Sequence, residues 1–261
     1  MHPDLKLIGN LFNLKHFMTT YIKMDISGMR KPYGNKQTLF LEKDIKLKDP
    51  IALFEEWFKL VKENPNTVEA NAMCVSTANK YAYTNHYYTG NGIPSARYCL
   101  LKGYSKDGFI FFTHYTSRKG KELEENPYAA LTFYWDQYNR SVRIEGCVEK
   151  LPFSYADEYF SKRPYRSQIG ALCSDQSKPV ESREILEKQA KELETKYQEG
   201  QVPRPPQWGG YIVKPTSFEF WQGQTDRIHD RIIFRKPNEN EPDGKLSHQA
   251  ADGWIYERLN P

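Results

Sequence analysis

The strongest constraint on the fold is a series of short segments rich in β-branched and aromatic residues and separated by turns. Between residues 71 and 150 they are NAMCVST, RYCLLKG, GFIFFTH, ALTFYW and SVRIEGCVEK. In the last segment, apolar residues from Val142 to Val148 alternate with charged ones, the period of a strand with one buried face. GGYIVKP, SFEFWQ, RIIFRK and GWIYERL continue the series. Strands and helices do not alternate regularly, so the pattern predicts one antiparallel barrel with helices outside it.

Other segments have a helical pattern. Asp49 is an N-cap followed by proline, and the apolar residues after it recur at helical spacing. Three further helices are predicted, from Ser117 to Asn126, from Ser154 to Pro164 and from Ser182 to Gly200. Residues 1–45 show no sustained period and are expected to form a mobile arm, which leaves residues 46–261 as a single domain.

The charge balance argues against a nucleic-acid-coating protein. The 261 residues include 37 Lys and Arg against 33 Asp and Glu, a net charge of +4. Because affinity for nucleic acid grows with the number of neutralised phosphates, this excess is too small for such a role. It fits a protein that binds small anions at local sites.

The cysteines indicate a reducing compartment. All four are widely spaced, without a CxxC pattern or a Cys/His ligand pattern, so disulfides and metal fingers are not expected. No apolar run approaches the length of a membrane span, so no membrane role is expected. The N-terminus is basic but has no arginine before Arg30, which favours a cytoplasmic protein over an organelle-targeted one.

The motif SRKGKEL follows a predicted strand and opens a predicted helix, with Ser117 as its cap. Arg118 and Lys119 then lie on the first turn, where the positive end of the helix dipole disfavours cations. Their placement makes sense if the backbone N–H groups and both side chains bind one anion, such as a phosphate. A solvated basic turn is the alternative.

Two other segments combine cations with aromatic or apolar neighbours. Arg97 and Lys102 are an odd number of residues apart, so on a regular strand they face opposite sides. Tyr159 and Arg163 lie one helical turn apart, and Ser167 follows just past a proline break. The three side chains suit a phosphorylated aromatic ligand. An edge strand with solvated charges and an exposed Tyr–Arg pair are the structural alternatives.

The segment EFWQGQTDRIHDR is crowded with charge. Asp226, His229 and Asp230 could ligate a metal ion, but the interleaved Arg227 and Arg231 are unfavourable beside a divalent cation. On a strand, both arginines and the histidine would share one face. The pattern therefore predicts a positive, hydrogen-bond-donating surface and no metal site.

Taken together, these motifs resemble one known family. SRKGKEL, RPYRSQIGA, the Gln-Ser of DQSKP, WGGY, FWQGQTDRIHDR and the terminal YERLNP follow one another as in pyridoxine (pyridoxamine) 5′-phosphate oxidases. The resemblance runs from about residue 48 to the C-terminus, and GMRKPY extends it into the arm.

The resemblance implies a mainly β fold, an antiparallel, Greek-key-like, FMN-binding split β-barrel with peripheral α-helices. It also implies a homodimer with flavin bound between the subunits. The implied reaction is oxidation of pyridoxine 5′-phosphate and pyridoxamine 5′-phosphate at C4′ to pyridoxal 5′-phosphate. Dioxygen is the electron acceptor and hydrogen peroxide a product, with ammonia released from the amine.

The resemblance also assigns residues to ligands. The implied FMN contacts are Arg97, Tyr98, Cys99, Leu100, Phe112, Thr113, Arg118, Lys119, Ser141, Gln176, Ser177, Trp221 and Arg231. The implied substrate contacts are Arg30, Tyr33, Lys102, Tyr159, Arg163, Ser167, Arg227, Ile228 and His229. Among these, Arg227 and His229 are the catalytic candidates, because they map to groups over the pyridine ring.

One position departs from the family pattern. Where the family has NRQVR this chain has NRSVR, so Ser141 replaces a glutamine that is expected to bond the flavin. Serine is too short for the same contact unless a water bridges it. Two alternatives remain: a split-barrel flavin reductase with another substrate, and a non-catalytic protein that binds pyridoxal phosphate or FMN.

Overall fold

The computed structural model describes residues 26–29, 33, 39–46, 48–80, 82–84, 87–89, 92–237, 244 and 246–261. The chain divides into two compact units, Met1–Gln37 and Thr38–Pro261. In the first unit, Ser27–Met29 form a 3₁₀ turn and Tyr33 is half-buried, whereas Arg30 lies outside the described residues. The arm–domain boundary at residue 45 stays a prediction, and Phe40 is already buried in the core of the second unit.

The strands of the second unit occupy the segments that the alternating patterns predicted. They are β1 (Ala72–Ala78), β2 (Ala82–Thr84), β3 (Tyr87–Thr89), β4 (Pro94–Leu100), β5 (Gly103–Ser105), β6 (Gly108–His114), β7 (Tyr128–Trp135), β8 (Arg140–Lys150), β9 (Trp208–Gln222), β10 (Asp230–Arg235), β11 (His248–Gln249) and β12 (Ile255–Arg258). GGYIVKP and SFEFWQ, predicted as separate strands, are one continuous strand, β9, which pairs with β8 past a bulge at Glu145/Gly146.

All pairings between the described strands are antiparallel, and most of the strands form one sheet in the order β11-β12-β10-β9-β8-β7-β1-β4, with β5 and β6 joined to it through β9. One edge of β9 pairs with β8. The other edge pairs first with β6 and then with β10. Because β6 and β10 pair with different stretches of the same edge of β9, the sheet divides there into a part with β6 and a part with β10. The predicted antiparallel, mainly β fold with peripheral helices is confirmed.

The helices are α1 (Pro50–Lys62), α2 (Arg118–Glu125), α3 (Phe153–Ser161), α4 (Tyr165–Cys173) and α5 (Arg183–Lys196). The predicted cap of α1 is confirmed, since the Asp49 carboxylate accepts hydrogen bonds from the first-turn N–H groups. Ser154 is not a cap, because Pro152 takes that extended position. Helix α5 ends before Gly200, because Tyr197 is extended and its carbonyl accepts a bond from the Tyr165 hydroxyl. Among the described residues, no helix has the length and apolar character that a membrane crossing needs.

The main core lies between the sheet and α1. Phe54 of α1 is fully buried, with its ring centroid 5.0 Å from that of Phe109 on β6 and 5.3 Å from that of Phe133 on β7. Burial of one such side chain contributes about 1.5–3 kcal/mol, so α1 is held by its apolar face. The helical spacing found in the sequence is the cause of this packing.

A second, smaller core fixes α3 and α4 beside the beginning of β9. It includes Phe160 of α3, Ile169 of α4 and Trp208, the first residue of β9. On its border the Phe112 ring of β6 packs against both Tyr159, at 4.3 Å, and Trp208, at 5.2 Å, and the centroids of those two rings are 6.1 Å apart. The aromatic stack places the end of α3 against β6 and builds one wall of a cavity.

Candidate active site

A cavity of about 460 Å³ opens between the end of β4, strand β6 and helices α3 and α4. Most of its lining residues are ones to which the sequence assigned flavin or substrate. They are Tyr98, Cys99, Leu100, Lys102, Phe112, Thr113, Lys119, Tyr159, Arg163, Ser167 and Gln176, joined by Pro164 and Trp208. The fold therefore brings together residues from five separate segments of the chain in one place, and their individual roles stay predictions.

Lys119 is a buried cation with neutral hydrogen-bond partners. Its side chain lies on the first turn of α2, and the residue is only 7 % exposed. The Nζ atom donates to Thr113 Oγ1 at 3.1 Å and to Gln176 Oε1 at 3.0 Å. Burial lowers the pKa of Lys119, and among the described residues no carboxylate forms an ion pair with it. A buried ammonium without an acidic partner is costly, so this position suits an anionic ligand.

Arg118, the neighbouring cation, points elsewhere. Its Nε donates to Glu122 Oε1 at 2.8 Å, and the residue lines a second cavity of about 500 Å³ together with Gln176 and Ser177. Ser117 caps the helix as predicted, with its hydroxyl accepting from Gly120 N. The two cavities share Gln176, so Arg118 and Lys119 approach one region from two sides.

A second cation in the 460 Å³ cavity has an unsatisfied donor. The Arg163 guanidinium lies 4.8 Å from the Trp208 ring centroid, and its buried Nη1 has no hydrogen-bond partner among the described residues. Burial lowers the pKa of Arg163. Lys102 Nζ lies 5.9 Å from the Tyr159 ring centroid in the same cavity. Two cations and the Ser167 hydroxyl thus line a pocket that fits a phosphate.

The expectation that Arg97 and Lys102 occupy one strand is wrong, because β4 ends at Leu100. Arg97 turns away from the 460 Å³ cavity. Its Nη1 donates to Thr77 Oγ1 at 2.5 Å, and its Nη2 lies 3.3 Å from Glu122 Oε2. Lys102, beyond the strand end, lines the cavity.

The crowded segment after β9 is also different from its prediction. It forms a turn between β9 and β10, so Arg227, His229 and Arg231 do not alternate along a strand. The physical reason is local: Asp226 Oδ1 accepts a bond from Ile228 N at 3.0 Å, and Arg227 adopts a positive φ of 74°. Within the part of the chain that the structure describes, no group of three or more His, Cys, Asp or Glu side chains is placed to hold a metal ion.

This turn orients the histidine. His229 Nδ1 accepts a hydrogen bond from Gln224 N at 2.9 Å, which puts the proton of the neutral imidazole on Nε2. Its ring centroid lies 4.9 Å from that of Trp221. Because Trp221 is near the end of β9, the turn packs back onto that strand end.

The remaining predicted residues lie near the same strand end. Arg231 Nε donates to Glu219 Oε1 at 2.7 Å, and Ser141 is paired with Trp221 in the β8–β9 register. The Ser141 hydroxyl donates to the Phe133 carbonyl at 2.9 Å, so its proton is used within the sheet. These residues form a second group of predicted site residues, none of which lines the 460 Å³ cavity: Ser141, Trp221, Arg227, His229 and Arg231.

Sequence reasoning missed three residues that shape these groups. The Trp208 ring contacts the guanidinium of Arg163. Glu122 forms an ion pair with Arg118, and Glu219 forms one with Arg231, and both arginines were predicted to contact flavin. The i,i+4 spacing of Arg118 and Glu122 was a usable signal in the sequence. The pairing of Glu219 with Arg231 depends on strand register and had no such signal.

Two family models match the chain in succession. Residues 61–197 match the family model described as pyridoxamine 5′-phosphate oxidase. Residues 208–261 match the model described as pyridoxine 5′-phosphate oxidase C-terminal dimerisation region.

Two curated relatives cover nearly the whole chain. The pyridoxine-5′-phosphate oxidase of Bos taurus is 48 % identical over 250 residues, 95 % of this chain and 92 % of that protein. The pyridoxine/pyridoxamine 5′-phosphate oxidase of Bombyx mori is 46 % identical over 264 residues, 100 % of this chain and 95 % of that protein.

Solved structures share the fold. PhzG of Burkholderia lata 383, in complex with tetrahydrophenazine-1-carboxylic acid, superposes with a TM-score of 0.71 at 28 % identity, covering 87 % of this chain and 100 % of that one. A pyridoxamine 5′-phosphate oxidase-related, FMN binding protein of Nostoc punctiforme gives a TM-score of 0.57 at 14 % identity, covering 83 % and 100 %, which shows likeness of fold alone.

Proposed function

The chain belongs to the pyridoxamine 5′-phosphate oxidase family, and on that premise we propose that it uses FMN to oxidise pyridoxine 5′-phosphate and pyridoxamine 5′-phosphate to pyridoxal 5′-phosphate. Dioxygen accepts the two electrons and two protons and becomes hydrogen peroxide. The alcohol loses two hydrogens to form the aldehyde directly. The amine loses two hydrogens to form an imine, and water then hydrolyses the imine to the aldehyde and ammonia.

The observation that carries the proposal is a pair of cations, the buried Lys119 and the half-buried Arg163, in one cavity with aromatic walls. Lys119 has neutral partners and Arg163 has an unpartnered Nη1, and neither forms an ion pair with a carboxylate among the described residues. Leaving buried cations unpaired costs free energy, unless an anionic ligand completes the site. Two phosphates, one from FMN and one from the substrate, would satisfy both positions.

The residues of the cavity fit FMN. Lys119 and Arg118 would bind the flavin phosphate from two sides, with Gln176 and Ser177 between the two cavities. The backbone from Tyr98 to Leu100 and the Phe112 ring would line the flavin itself. When bound, FMN supplies the two-electron oxidation of C4′ and the return of electrons to dioxygen.

The second phosphate site positions the substrate. Lys102, Arg163 and Ser167 would hold the 5′-phosphate by charge-assisted hydrogen bonds, and Tyr159 closes that end of the cavity. Fixing the phosphate delivers the pyridine ring to the flavin in one orientation, which lowers the entropic part of the barrier.

We further propose that the second group of predicted residues reaches this cavity from the other subunit of a homodimer. Residues 208–261 match a dimerisation region, which supports a homodimer. Trp208 at the start of β9 borders the cavity, whereas Trp221 lies near the other end of the strand. An extended strand of that length spans about 40 Å, so in a single chain the two groups are too far apart to share one ligand.

In that dimer, Arg227 and His229 would lie over the pyridine ring. The arginine would stabilise negative charge on the ring and fix its orientation. His229, with its proton on Nε2, can donate a hydrogen bond to the substrate near C4′. Trp221, Arg231 and Ser141 would complete the flavin side.

The experiment is to purify the full chain, record its visible spectrum with FMN, and measure oxygen uptake and pyridoxal 5′-phosphate formation with both substrates. We expect a bound-flavin spectrum and turnover of at least one substrate. A protein that neither binds FMN nor turns over either substrate would overturn the proposal. Binding without oxygen uptake would indicate a carrier instead of an enzyme.

A further inference from the structure

Glu122 joins three elements of the fold through one carboxylate. It lies on α2 with its side chain only 8 % exposed. Its Oε2 accepts hydrogen bonds from Thr77 Oγ1 on β1 at 2.5 Å and from Ser95 Oγ on β4 at 2.6 Å. Both oxygens also bind arginines: Oε1 lies 2.8 Å from Arg118 Nε, and Oε2 lies 3.3 Å from Arg97 Nη2.

The carboxylate is anionic in spite of its burial. Burial opposes ionisation of Glu122, but the hydrogen bonds from Ser95, Thr77, Arg118 and Arg97 outweigh it and lower the pKa to about 2. The same bonds fix the side chain in one orientation, since each oxygen is tied to a different guanidinium. Glu122 therefore acts as a rigid anchor for both arginines at neutral pH.

Within the described part of the chain, the two arginines have no second acidic anchor. Among the ion pairs of the described residues, Arg97 and Arg118 each pair with Glu122 and with no other carboxylate. Both arginines are predicted flavin contacts, and Arg118 and Glu122 line the 500 Å³ cavity that meets the site of Lys119 at Gln176. Arg97 lines neither cavity and donates to Val75 O, Thr77 and Glu122, so it fixes the carboxylate from within the fold. The carboxylate in turn controls where the remaining N–H donors of Arg118 point.

We propose that Glu122 is a positioning residue for the flavin phosphate: held through Oε2 by Thr77, Ser95 and Arg97, it binds Arg118 through Oε1 and sets the direction in which Arg118 presents its remaining donors to the cofactor. The proposal rests on the proposed function, because it assumes that FMN is the ligand. Glu122 does not itself bind the phosphate, since two anions repel.

Because of that repulsion, the direction of the change in FMN affinity distinguishes two explanations. Replacing Glu122 by glutamine removes one negative charge beside the phosphate, and by charge alone this change would tighten FMN binding. If orientation of the arginines dominates, the same change weakens FMN binding, because Arg97 then faces an amide group and both guanidinium groups gain freedom. The two explanations predict opposite results.

The test measures FMN and riboflavin affinity of the full-length apoprotein by flavin fluorescence, for the wild type, Glu122→Gln and Glu122→Asp. We expect both variants to bind FMN about tenfold or more weakly, since hydrogen bonds between charged groups are at stake. Riboflavin affinity should stay unchanged, because riboflavin has no phosphate. Glu122→Asp keeps the buried charge and protects the test against misfolding, but it is one methylene too short to span both arginines.

The matched control is Glu187→Gln. Glu187 accepts a bond from Arg183 Nε at 2.7 Å, also at i,i+4 spacing, but on the exposed helix α5. It should leave FMN affinity unchanged. Unchanged or tighter FMN binding in the Glu122 variants, or an equal loss of riboflavin binding, would overturn the role of Glu122 alone. A wild-type protein that binds no FMN would instead overturn the proposed function on which that role depends.

Discussion

Trp208 and Trp221 lie near opposite ends of one continuous 15-residue strand, and each marks a different half of the candidate site. The Trp208 ring centroid lies 4.8 Å from the Arg163 guanidinium, in the cavity that the buried Lys119 also lines. Trp221 contacts the His229 ring at 4.9 Å, beside the turn that holds Arg227. Because β9 separates the two halves, we propose that a complete site takes residues from two chains.

Arg227→Ala should slow turnover by about a hundredfold, the size expected for loss of a group that acts on the reacting ring. FMN affinity should stay nearly constant, because Arg227 is assigned to the substrate. Steady-state kinetics and a flavin titration measure the two effects separately. Lys48→Ala is the matched control, since Lys48 is an exposed residue that also has a positive φ, of 46°. Loss of FMN with unchanged turnover per bound flavin would show that Arg227 acts on FMN and not on the substrate.

Arg163→Gln should raise KM for the phosphorylated substrates by about tenfold or more, because we propose that its Nη1, which has no hydrogen-bond partner among the described residues, binds the substrate phosphate. FMN affinity should not change. Arg166→Gln, on an exposed position three residues further along, should leave KM unchanged. An unaltered KM in Arg163→Gln, or equal effects of the two variants, would remove Arg163 from the substrate site.

Binding of FMN should weaken on the alkaline side. Burial lowers the pKa of Lys119 below its ordinary 10.5, so the apoprotein loses this positive charge earlier than a solvated lysine would. As pH rises through the lowered pKa, the phosphate loses a cationic partner and FMN affinity falls. In Lys119→Arg the charge persists, so the alkaline fall should be shallower. Flavin titrations at a series of pH values test this, and superimposable profiles would exclude Lys119 as the cause.

The stability of the apoprotein should also depend on the ionisation of Lys119, but it should rise with pH where FMN affinity falls. Between the lowered folded pKa and the ordinary 10.5, the unfolded chain holds more protons on Lys119 than the folded chain does. The free energy of unfolding therefore rises with pH across this window. Lys119→Met should lack this contribution, and urea unfolding of both apoproteins at each pH measures the difference.

Two helical glycines should respond in opposite ways to alanine. A Cβ at Gly120 would lie 2.2 Å from the Tyr115 carbonyl oxygen, whereas a Cβ at Gly170 would meet nothing within 4 Å. Gly120→Ala should therefore destabilise the protein by about 1–3 kcal/mol through overpacking. Gly170→Ala should stabilise it by about 0.5–1 kcal/mol through helix propensity. Urea unfolding of both variants provides the comparison, and equal effects would contradict the packing of α2 against Tyr115.

Much of the fold follows from interactions between residues that are close together in the sequence. The alternation from Val142 to Val148 and the Asp49 cap each depend on residues close in the chain, and both were predicted correctly. The strand assumed for Arg227 to Arg231 failed, because an Asx contact at Asp226 makes a turn that alternation alone does not reveal. Side-chain periodicity does not distinguish a turn with interleaved charges from a strand.

The candidate site needed more than local patterns. Contacts such as Lys119 with Gln176 join residues that are distant in the chain, so they depend on the tertiary fold. Resemblance to a family named these residues, and geometry then showed which of them meet. The resemblance did not name Glu122. Its i,i+4 spacing from Arg118 signals one contact, but its bonds to Thr77 and Ser95 form only when β1, β4 and α2 pack together.

The shared site is tested most directly by mixing two variants that are each strongly impaired when the substrate concentration is well below the wild-type KM. Arg163→Gln damages the cavity at one end of β9 and Arg227→Ala damages the turn at the other. When subunits of the two are mixed equally, half of the dimers contain one chain of each kind. If each site takes Arg163 from one subunit and Arg227 from the other, one of the two sites in every mixed dimer is intact.

Activity of the mixture should then recover to about one quarter of the wild-type value, as expected for random pairing in a two-fold dimer. Oxygen-dependent formation of pyridoxal 5′-phosphate, measured after co-refolding of the FMN-loaded variants, gives this number. If the mixture is no more active than the separate variants although mixed dimers have formed, each site is built from a single chain and the shared site is contradicted.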